Sequence, residues 1–375
     1  MHPFTFGAKG GNDGERIQHA IDLVSKMTMG PDGFRGAVLL GRGSFLIHKP
    51  LVVSTSGVVV RGSGQGKDGT ILRLKARAPM DLFDIRASSN LTRKRNKYET
   101  TPYYVREATR QKIADHFVPV GSRIFHVLEP SKFSIGDEVV ITMHTNQAWL
   151  DEMSNMSQWG WKEREFQFRR KIEDINHDEI VLDAPFVQAI EARYGGASIA
   201  KLDYERGTML HHIGIERLRL ESTFSSEEDE KHGWKAIRAS QLQNGWIRQV
   251  TGLYFAYGLV SLENGCKQVT IEDCAMLDHK SRIMGGRRYS FKSTDSESIL
   301  FQRCLARNGR HDFVLGKHSI GPGVFADALA VHPHSDIGPH GRYSMGQLFD
   351  NVKGGSFSVQ NRRDSGSGHG WSGGK

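Results

Sequence analysis

Short apolar runs, cut off by turn residues and alternating with polar positions, set the character of this chain. Ala37 to Leu40, Phe45 to Ile47, Leu51 to Val53, Val58 to Val60 and Ile71 to Leu74 each read as a short strand. Side chains alternate between two faces along a strand, so runs this short bury one face only if they stack on others. A different pattern precedes them. Ile17, Ala20, Ile21 and Val24 fall at i, i+3, i+4 and i+7, which predicts a helix over 13–28 with one apolar face. Asn12 and Glu15 stand where a capping box would open that helix, and Met29-Gly30-Pro31 closes it.

The strand rhythm returns after Ile213, in Ile213, Ile215, Leu218 and Leu220. Further strands follow at Trp246 to Val250, Val269 to Cys274, Ile299 to Cys304, Val324 to Ala328 and Leu348 to Val352. Aligning Ile247, Ile271, Phe301, Phe325 and Phe349 gives steps of 24, 30, 24 and 24 residues. A repeat of that length is a solenoid signature: no unit can bury its own apolar face, so units stack as rungs. Cys274 and Cys304 take the same place in successive units, as small buried residues of an interior column would. The longer step holds the basic stretch Asp278 to Tyr289, expected as a flank loop able to contact an anionic chain. Glu227 to Lys231 reads as a solvated charged loop.

Residues 76–199 break the rhythm. They are read as a lateral insertion between the cap and first rungs at 1–75 and the later rungs at 200–375. Strands are expected at Val139 to Ile141 and Phe166 to Ile172, with a turn at Asn176 to Asp178 before another strand. Trp149, Trp159 and Trp161 form either the insertion's own core or, less in keeping with aromatic burial, a sugar-binding cleft.

Composition narrows the partners. The 375 residues carry a formal charge of +8, 42 glycines and 38% hydrophobic residues, which fits a turn-rich β protein. The basic residues are dispersed, except Arg93-Lys94-Arg95 with Lys97, and no nucleic-acid module is found, so an anionic partner is expected, with a polyanionic carbohydrate as consistent with the charge as a nucleic acid. Cys266, Cys274 and Cys304 match no zinc spacing and no disulfide framework. No run is long enough to span a membrane, and Met1-His2-Pro3-Phe4 leads straight into folded-looking sequence without a signal peptide. Secretion or a periplasmic location is expected, in a chain that continues past the abrupt stop at Ser372 to Lys375. Gly62 to Lys67, GSGQGK, departs from a phosphate loop at Arg61 and Asp68 and is read as a turn between rungs.

The densest polar chemistry lies in Val331 to Tyr343, VHPHSDIGPHGRY. If this stretch is extended, His332, His334 and Asp336 share a face, with His340 and Arg342 following the Gly338-Pro339 turn. Asn308 to Asp312 and Gln360 to Asp364 follow neighbouring rung strands at similar phase, and rungs stack about 4.8 Å apart. Arg310, His311, Asp312, His332, His334, Asp336, His340, Arg342, Arg362, Asp364 and His369 are therefore expected to line one groove.

Two resemblances bear on this reading. FGAKGGNDGERIQHAID, GAVLLGRGSFLI and GVVVRGSGQGKDGTIL resemble the N-terminus of the pectate-lyase-like superfamily. The resemblance implies an all-β, right-handed parallel β-helix with the helix at 13–28 capping its end. HDFVLGKHSIGPGVF, HSDIGPHGRYSMGQLFDN and VQNRRDSGSGHGW resemble a subgroup found with bacterial polysaccharide-degrading systems, which implies a carbohydrate substrate. Neither the calcium-site carboxylates of pectate lyases nor the Lys/Arg pair of chondroitinase-B-like lyases has a match here.

The expected reaction is β-elimination on a uronate-containing polysaccharide. Arg342 or Arg362 would neutralise the carboxylate, His334 or His340 would take the C5 proton, and Tyr343 or another histidine would protonate the leaving oxygen. Arg310, His311, His332, Arg362, Asp364 and His369 are the expected substrate-binding residues, with Asp336 among the catalytic ones. A hydrolase would instead need a carboxyl pair, either Asp336 with Asp364 or Asp312 with Asp336. A non-catalytic carbohydrate-binding β-helix is the remaining alternative. His332, His334, Asp336 and His340 have ligand types a metal accepts, but no zinc motif matches and no cofactor or metal is expected.

Overall fold

The computed structural model describes residues 3–8, 11–87, 93–96, 99–101, 103–204 and 207–373. Lys97 of the basic run and Tyr98 lie outside the described residues.

The helix forms at Asp13–Lys26, with Ile17, Ala20, Ile21 and Val24 buried against the first strands. The expected capping box is absent: the Asn12 side chain makes no capping hydrogen bond. Asp13 instead turns inward, accepting from the Leu46 amide at 3.2 Å and from Arg16 at 2.8 Å.

Behind this cap the chain coils as a parallel β-helix. One interior column runs Val38, Val60, Ile215, Ile247, Ile271, Phe301, Phe325 and Phe349, each directly paired with the next. The sequence period thus marks the true register. Phe301, Phe325 and Phe349 stack nearly face to face, at 4.6 and 5.0 Å between centroids. Gln249, Asp273, Arg303, Asp327 and Asn351, one per rung, are left-handed. This turns each rung's corner at the same phase, mostly with residues that tolerate positive φ. Asn351 Nδ2 donates to Asp327 at 2.7 Å, and Arg303 Nε to Asp273 at 2.6 Å, tying successive corners together. Cys274 and Cys304 are buried, and burial pushes the Cys304 thiol up to about 12.

Val60 and Ile215 are direct neighbours, so one rung follows the next across the insertion. Phe83–Ile85, inside the span read as insertion, is still a solenoid strand between Leu51–Val53 and Lys235–Ser240. The insertion's antiparallel sheet runs from Tyr103–Val105 to Ala197–Tyr204. Its strands Glu138–His144 and Glu165–Asn176 contain both expected ones, and Glu165–Asn176 turns at His177 into Glu179–Leu182. Trp149 and Trp161 are buried in its core with Phe166 and Phe168, so aromatic burial prevails over an open cleft.

That core also takes in Ile320, Tyr343 and Met345 from the solenoid. Polar docking completes the seam. Glu297, at the start of a rung strand, receives the guanidinium groups of Arg169 and Arg170, and Lys267 Nζ donates to the Arg169 carbonyl at 3.2 Å. Burial opposes ionisation of Glu297, but these cations outweigh it and hold its carboxyl below the usual range.

The charged loops differ from expectation. Arg282 and Arg287 of the basic loop bind Glu230, and Lys280 binds Glu227, so the two loops neutralise each other. The two arginine hydrogen bonds hold Glu230 down at about 2.

Candidate functional site

The site grows from the smaller parallel sheet, whose rung strands include Gly258–Glu263, Phe291–Ser293, Phe313–Leu315 and Gly338–Pro339. Alternation sends Phe291 and Phe313 into the core and the residues after them outward. Asp84, Arg238, Ser261, Lys292, Val314 and Gly338 are paired in turn, making one outward column.

Beside this column stands an aromatic ladder. Tyr257 and Tyr289 lie 5.1 Å apart, Tyr289 stacks on His311 at 5.3 Å and 11°, and Trp234 adjoins Tyr257 at 6.2 Å. The backbone sets this spacing, since the Tyr257 amide donates to the Trp234 carbonyl and the Tyr289 amide to that of Tyr257. Gly258 lets the Tyr257 and Tyr289 rungs close up: a Cβ there would stand 1.8 Å from the Tyr289 carbonyl oxygen.

Lys292 crosses from column to ladder. Its Nζ donates to the Tyr257 hydroxyl at 2.7 Å and sits over the Tyr289 ring at 5.1 Å. Burial lowers it to about 8, and burial likewise pushes the Tyr257 phenol well above its ordinary value. Further along the sheet, Glu263 accepts from Ser261 at 2.8 Å and Arg238 at 3.1 Å and pairs with Lys235. Burial opposes its charge, but the Lys235 and Arg238 cations hold it at about 2.

At the other end imidazoles, a phenol and guanidinium groups converge. The rings of His311 and His340 are 4.3 Å apart, and His340 Nε2 is 3.5 Å from the Tyr289 hydroxyl. Arg310 donates to the same hydroxyl at 3.4 Å, and Arg362 donates to the His340 carbonyl. His311 Nδ1 lies 2.8 Å from the Asp336 carbonyl and 3.4 Å from its carboxylate. His311 Nε2 is buried without a hydrogen-bond partner among the described residues. Burial is the main cause that lowers both imidazoles, and His311, Arg362, Arg310 and Lys292 add to it at His340, which falls to about 3. His340 is thus a neutral imidazole in cationic surroundings.

The expected groove is therefore assembled in part. Arg310, His311, His340 and Arg362 come together, with Asp336 behind His311. His369 is next to them: it packs against Gly341, and burial with the nearby Arg362 and Arg342 charges lowers its imidazole. His332, His334 and Asp336 do not share a strand face. The strand ends at Val331, His332 is left-handed before Pro333, and both histidines are exposed on the turn. His334 neighbours His279, whose protonated form it disfavours. Asp364 is exposed ahead of the short helix Ser365–Gly368. Arg342 and Tyr343 are both left-handed, which turns Tyr343 away from His340 into the insertion core. There its hydroxyl meets Gln188 at 3.4 Å, and burial raises its pKa.

Tyr257, Tyr289 and Lys292 belong to the cluster and were not anticipated. Their signal was the repeated aromatic two residues before an inward phenylalanine, in Tyr289-Ser290-Phe291 and His311-Asp312-Phe313. Asp312 is fully buried beneath the ladder with its carboxylate on Ser290 Oγ, and burial raises it to about 6. Among the described residues, no three His, Cys, Asp or Glu side chains gather as a metal-ligand set.

No protein-family model and no curated protein matches this chain. The tailspike protein gp49 from Pseudomonas phage LKA1 superposes with a TM-score of 0.54 at 11% identity, over 91% of this chain and 52% of its own. The likeness is one of fold, and that fold is the parallel β-helix. The Pseudomonas phage phi297 tailspike gp61 matches at a TM-score of 0.45 and 10% identity, over 91% and 57% of the two chains. The A-module of the Azotobacter vinelandii mannuronan C-5 epimerase AlgE4 matches at 0.36 and 11%, over 92% and 68%. The chain spans about half the length of the tailspikes it matches.

Proposed function

We propose that this chain is a carbohydrate-active β-helix that cleaves an acidic, uronate-containing polysaccharide outside the cell by β-elimination. The observation that carries the reading is the convergence of neutral His340, the Tyr289 hydroxyl and the cations Arg310 and Arg362 at one end of an aromatic ladder. Elimination asks for this set. A guanidinium neutralises the uronate carboxylate and acidifies C5. His340 takes the C5 proton as the C4–O bond breaks and the C4=C5 double bond forms. The Tyr289 hydroxyl protonates the departing oxygen. The 3.5 Å contact between His340 and Tyr289 then returns the proton and resets the pair. The buried ladder of Tyr257 and Tyr289 holds the Tyr289 hydroxyl in place, and Lys292 beside it attracts a neighbouring carboxylate.

Hydrolysis fits less well, because it needs two carboxyl groups across the scissile bond. Asp312 is sealed in the core, Asp336 faces His311, and Asp364 is exposed ahead of a short helix. The test is product analysis on a panel of polyuronates. Ultraviolet absorbance from an unsaturated uronate supports elimination. Reducing ends without absorbance mean hydrolysis, and binding without either product means a carbohydrate-binding module.

A further inference from the structure

We propose that a second, non-catalytic site for an acidic saccharide lies on another flank of the solenoid, in the open cleft beside Arg73, Arg219 and Phe224. The cleft holds about 600 Å³ between the glycine-rich turn at 62–69 and the chain around Thr223 and Phe224. Its strands, Thr70–Leu74, Gly214–Ser222 and Leu242–Phe255, belong to the larger parallel sheet, whereas the His340 groove grows from the smaller one. The choice of a uronate chain as ligand rests on the function proposed above, but the site uses none of the His340 chemistry.

The floor sets the charge. Alternation along Gly214–Ser222 sends Leu218 and Leu220 into the core and Arg219 and Glu221 toward the cleft, and register places Arg73 beside Glu221. Arg219 Nε donates to one Glu221 oxygen at 2.6 Å, and Arg73 Nη2 donates to the other at 3.0 Å. Two guanidinium groups thus share one carboxylate. Lys67, on the turn, is exposed and has no ion pair among the described residues. Three lining cations against one lining carboxylate attract an anion.

The walls are held in place and supply the ring contact. The turn closes on itself: the Thr70 amide donates to the Gly64 carbonyl at 3.1 Å, and a Cβ at Gly69 would stand 2.1 Å from that oxygen. Gln65 Oε1 accepts from Thr251 Oγ1 at 3.2 Å, which ties the turn to the floor. The stretch that departs from a phosphate loop is therefore a rigid wall carrying Lys67. Opposite, the Thr223 amide donates to the Leu74 carbonyl at 2.9 Å, and the Phe224 and Tyr254 rings lie 4.9 Å apart. Lys280, paired with Glu227 and Asp278, sits 5.1 Å over the Phe224 ring and anchors it. Phe224 is still 40% exposed. Tyr254 is left-handed, a strained state for a bulky residue. Exposed ring surface beside cationic N–H donors suits a sugar ring that carries a carboxylate.

The test is affinity electrophoresis through gels containing polygalacturonate, alginate, hyaluronan or dextran. The background is His340→Ala with Arg310→Ala, so that no polymer is cut and the catalytic groove holds it less. At least one acidic polymer is expected to retard the chain, and dextran is not. Lys67→Ala with Arg73→Ala, and separately Phe224→Ala, should each weaken the interaction about fivefold or more. Lys112→Ala with Lys162→Ala removes the same charge elsewhere and should change it less than about twofold. All four cations are exposed, and Glu221 keeps Arg219, so these substitutions leave the core intact. Turnover of a short oligouronate by the unsubstituted chain reads the elimination reaction separately, and its absence leaves the binding test standing. No retardation by any acidic polymer, equal losses from the two charge pairs, or indifference to Phe224→Ala would overturn the proposal.

Discussion

Glu297 is the point at which one atom-level change tests how the insertion is held. Its carboxylate is buried and receives Arg169 and Arg170, the latter at 3.3 Å, plus the Arg169 amide at 3.1 Å. Lys267 is buried alongside. At about 4 Å each ion pair is worth roughly 4 kcal/mol with an effective dielectric of 20. Much of that is consumed by desolvation, so the net value of the pair is small. Removing only the anion is different, since Glu297→Ala strands two buried guanidinium groups, Arg169 and Arg170. We expect a loss of about 3–5 kcal/mol, the usual cost of breaking a buried pair. Glu297→Gln keeps the shape and should lose less. Urea unfolding followed by tryptophan emission reads this out, because Trp149, Trp159 and Trp161 lie in the insertion. A loss below about 1 kcal/mol for Glu297→Ala would refute the claim that this charge holds the seam. The pH dependence has a definite sign. The folded pKa lies below the ordinary 4.5, so the contribution is present above 4.5 and lost as acid protonates the carboxylate.

Phe325→Ala removes the middle ring of the interior stack and should cost about 3–5 kcal/mol in denaturant unfolding. Gly258→Ala drives a methyl into the Tyr289 carbonyl, so it should cost about 1–3 kcal/mol and displace the ladder, read as a change in near-ultraviolet circular dichroism. His340 and His279 both fall to about 3, mainly through burial, against an ordinary 6.5. Below 6.5 the unfolded chain binds protons that the folded chain refuses, so stability should fall as pH drops from 6.5 toward 3, measured as melting temperature against pH. For the same reason the elimination rate should show no acid limb near 6.5 and should decline above about 8, where Lys292 loses its charge.

The solenoid was legible because its physics repeats. Each rung must present an apolar residue to the same column, so Ile247, Ile271, Phe301, Phe325 and Phe349 could be aligned without knowing the corners. The cap helix was legible for a similar reason, since one buried stripe dictates its spacing. The candidate cluster was half legible. His340, Arg362, Arg310 and His311 could be placed together because polar residues cluster after rung strands. His334 and Tyr343 were misplaced by local backbone: Pro333 and a left-handed His332 end the strand, and two left-handed residues turn Tyr343 into a core that the insertion supplies. Nothing in the sequence near residue 343 announces that core. Tyr289 and Lys292 lie more than a rung earlier in sequence, so only the pairing of Lys292 with Val314 brings them alongside.

The central claim is that His340, and not the exposed His334, removes the proton. The most direct test compares initial rates of ultraviolet absorbance increase on a responsive polyuronate for the unsubstituted chain, His340→Ala and His334→Ala. The account predicts that His340→Ala loses about 10²-fold or more while His334→Ala stays within about twofold of the unsubstituted chain. A crippled His334→Ala beside an active His340→Ala would contradict it.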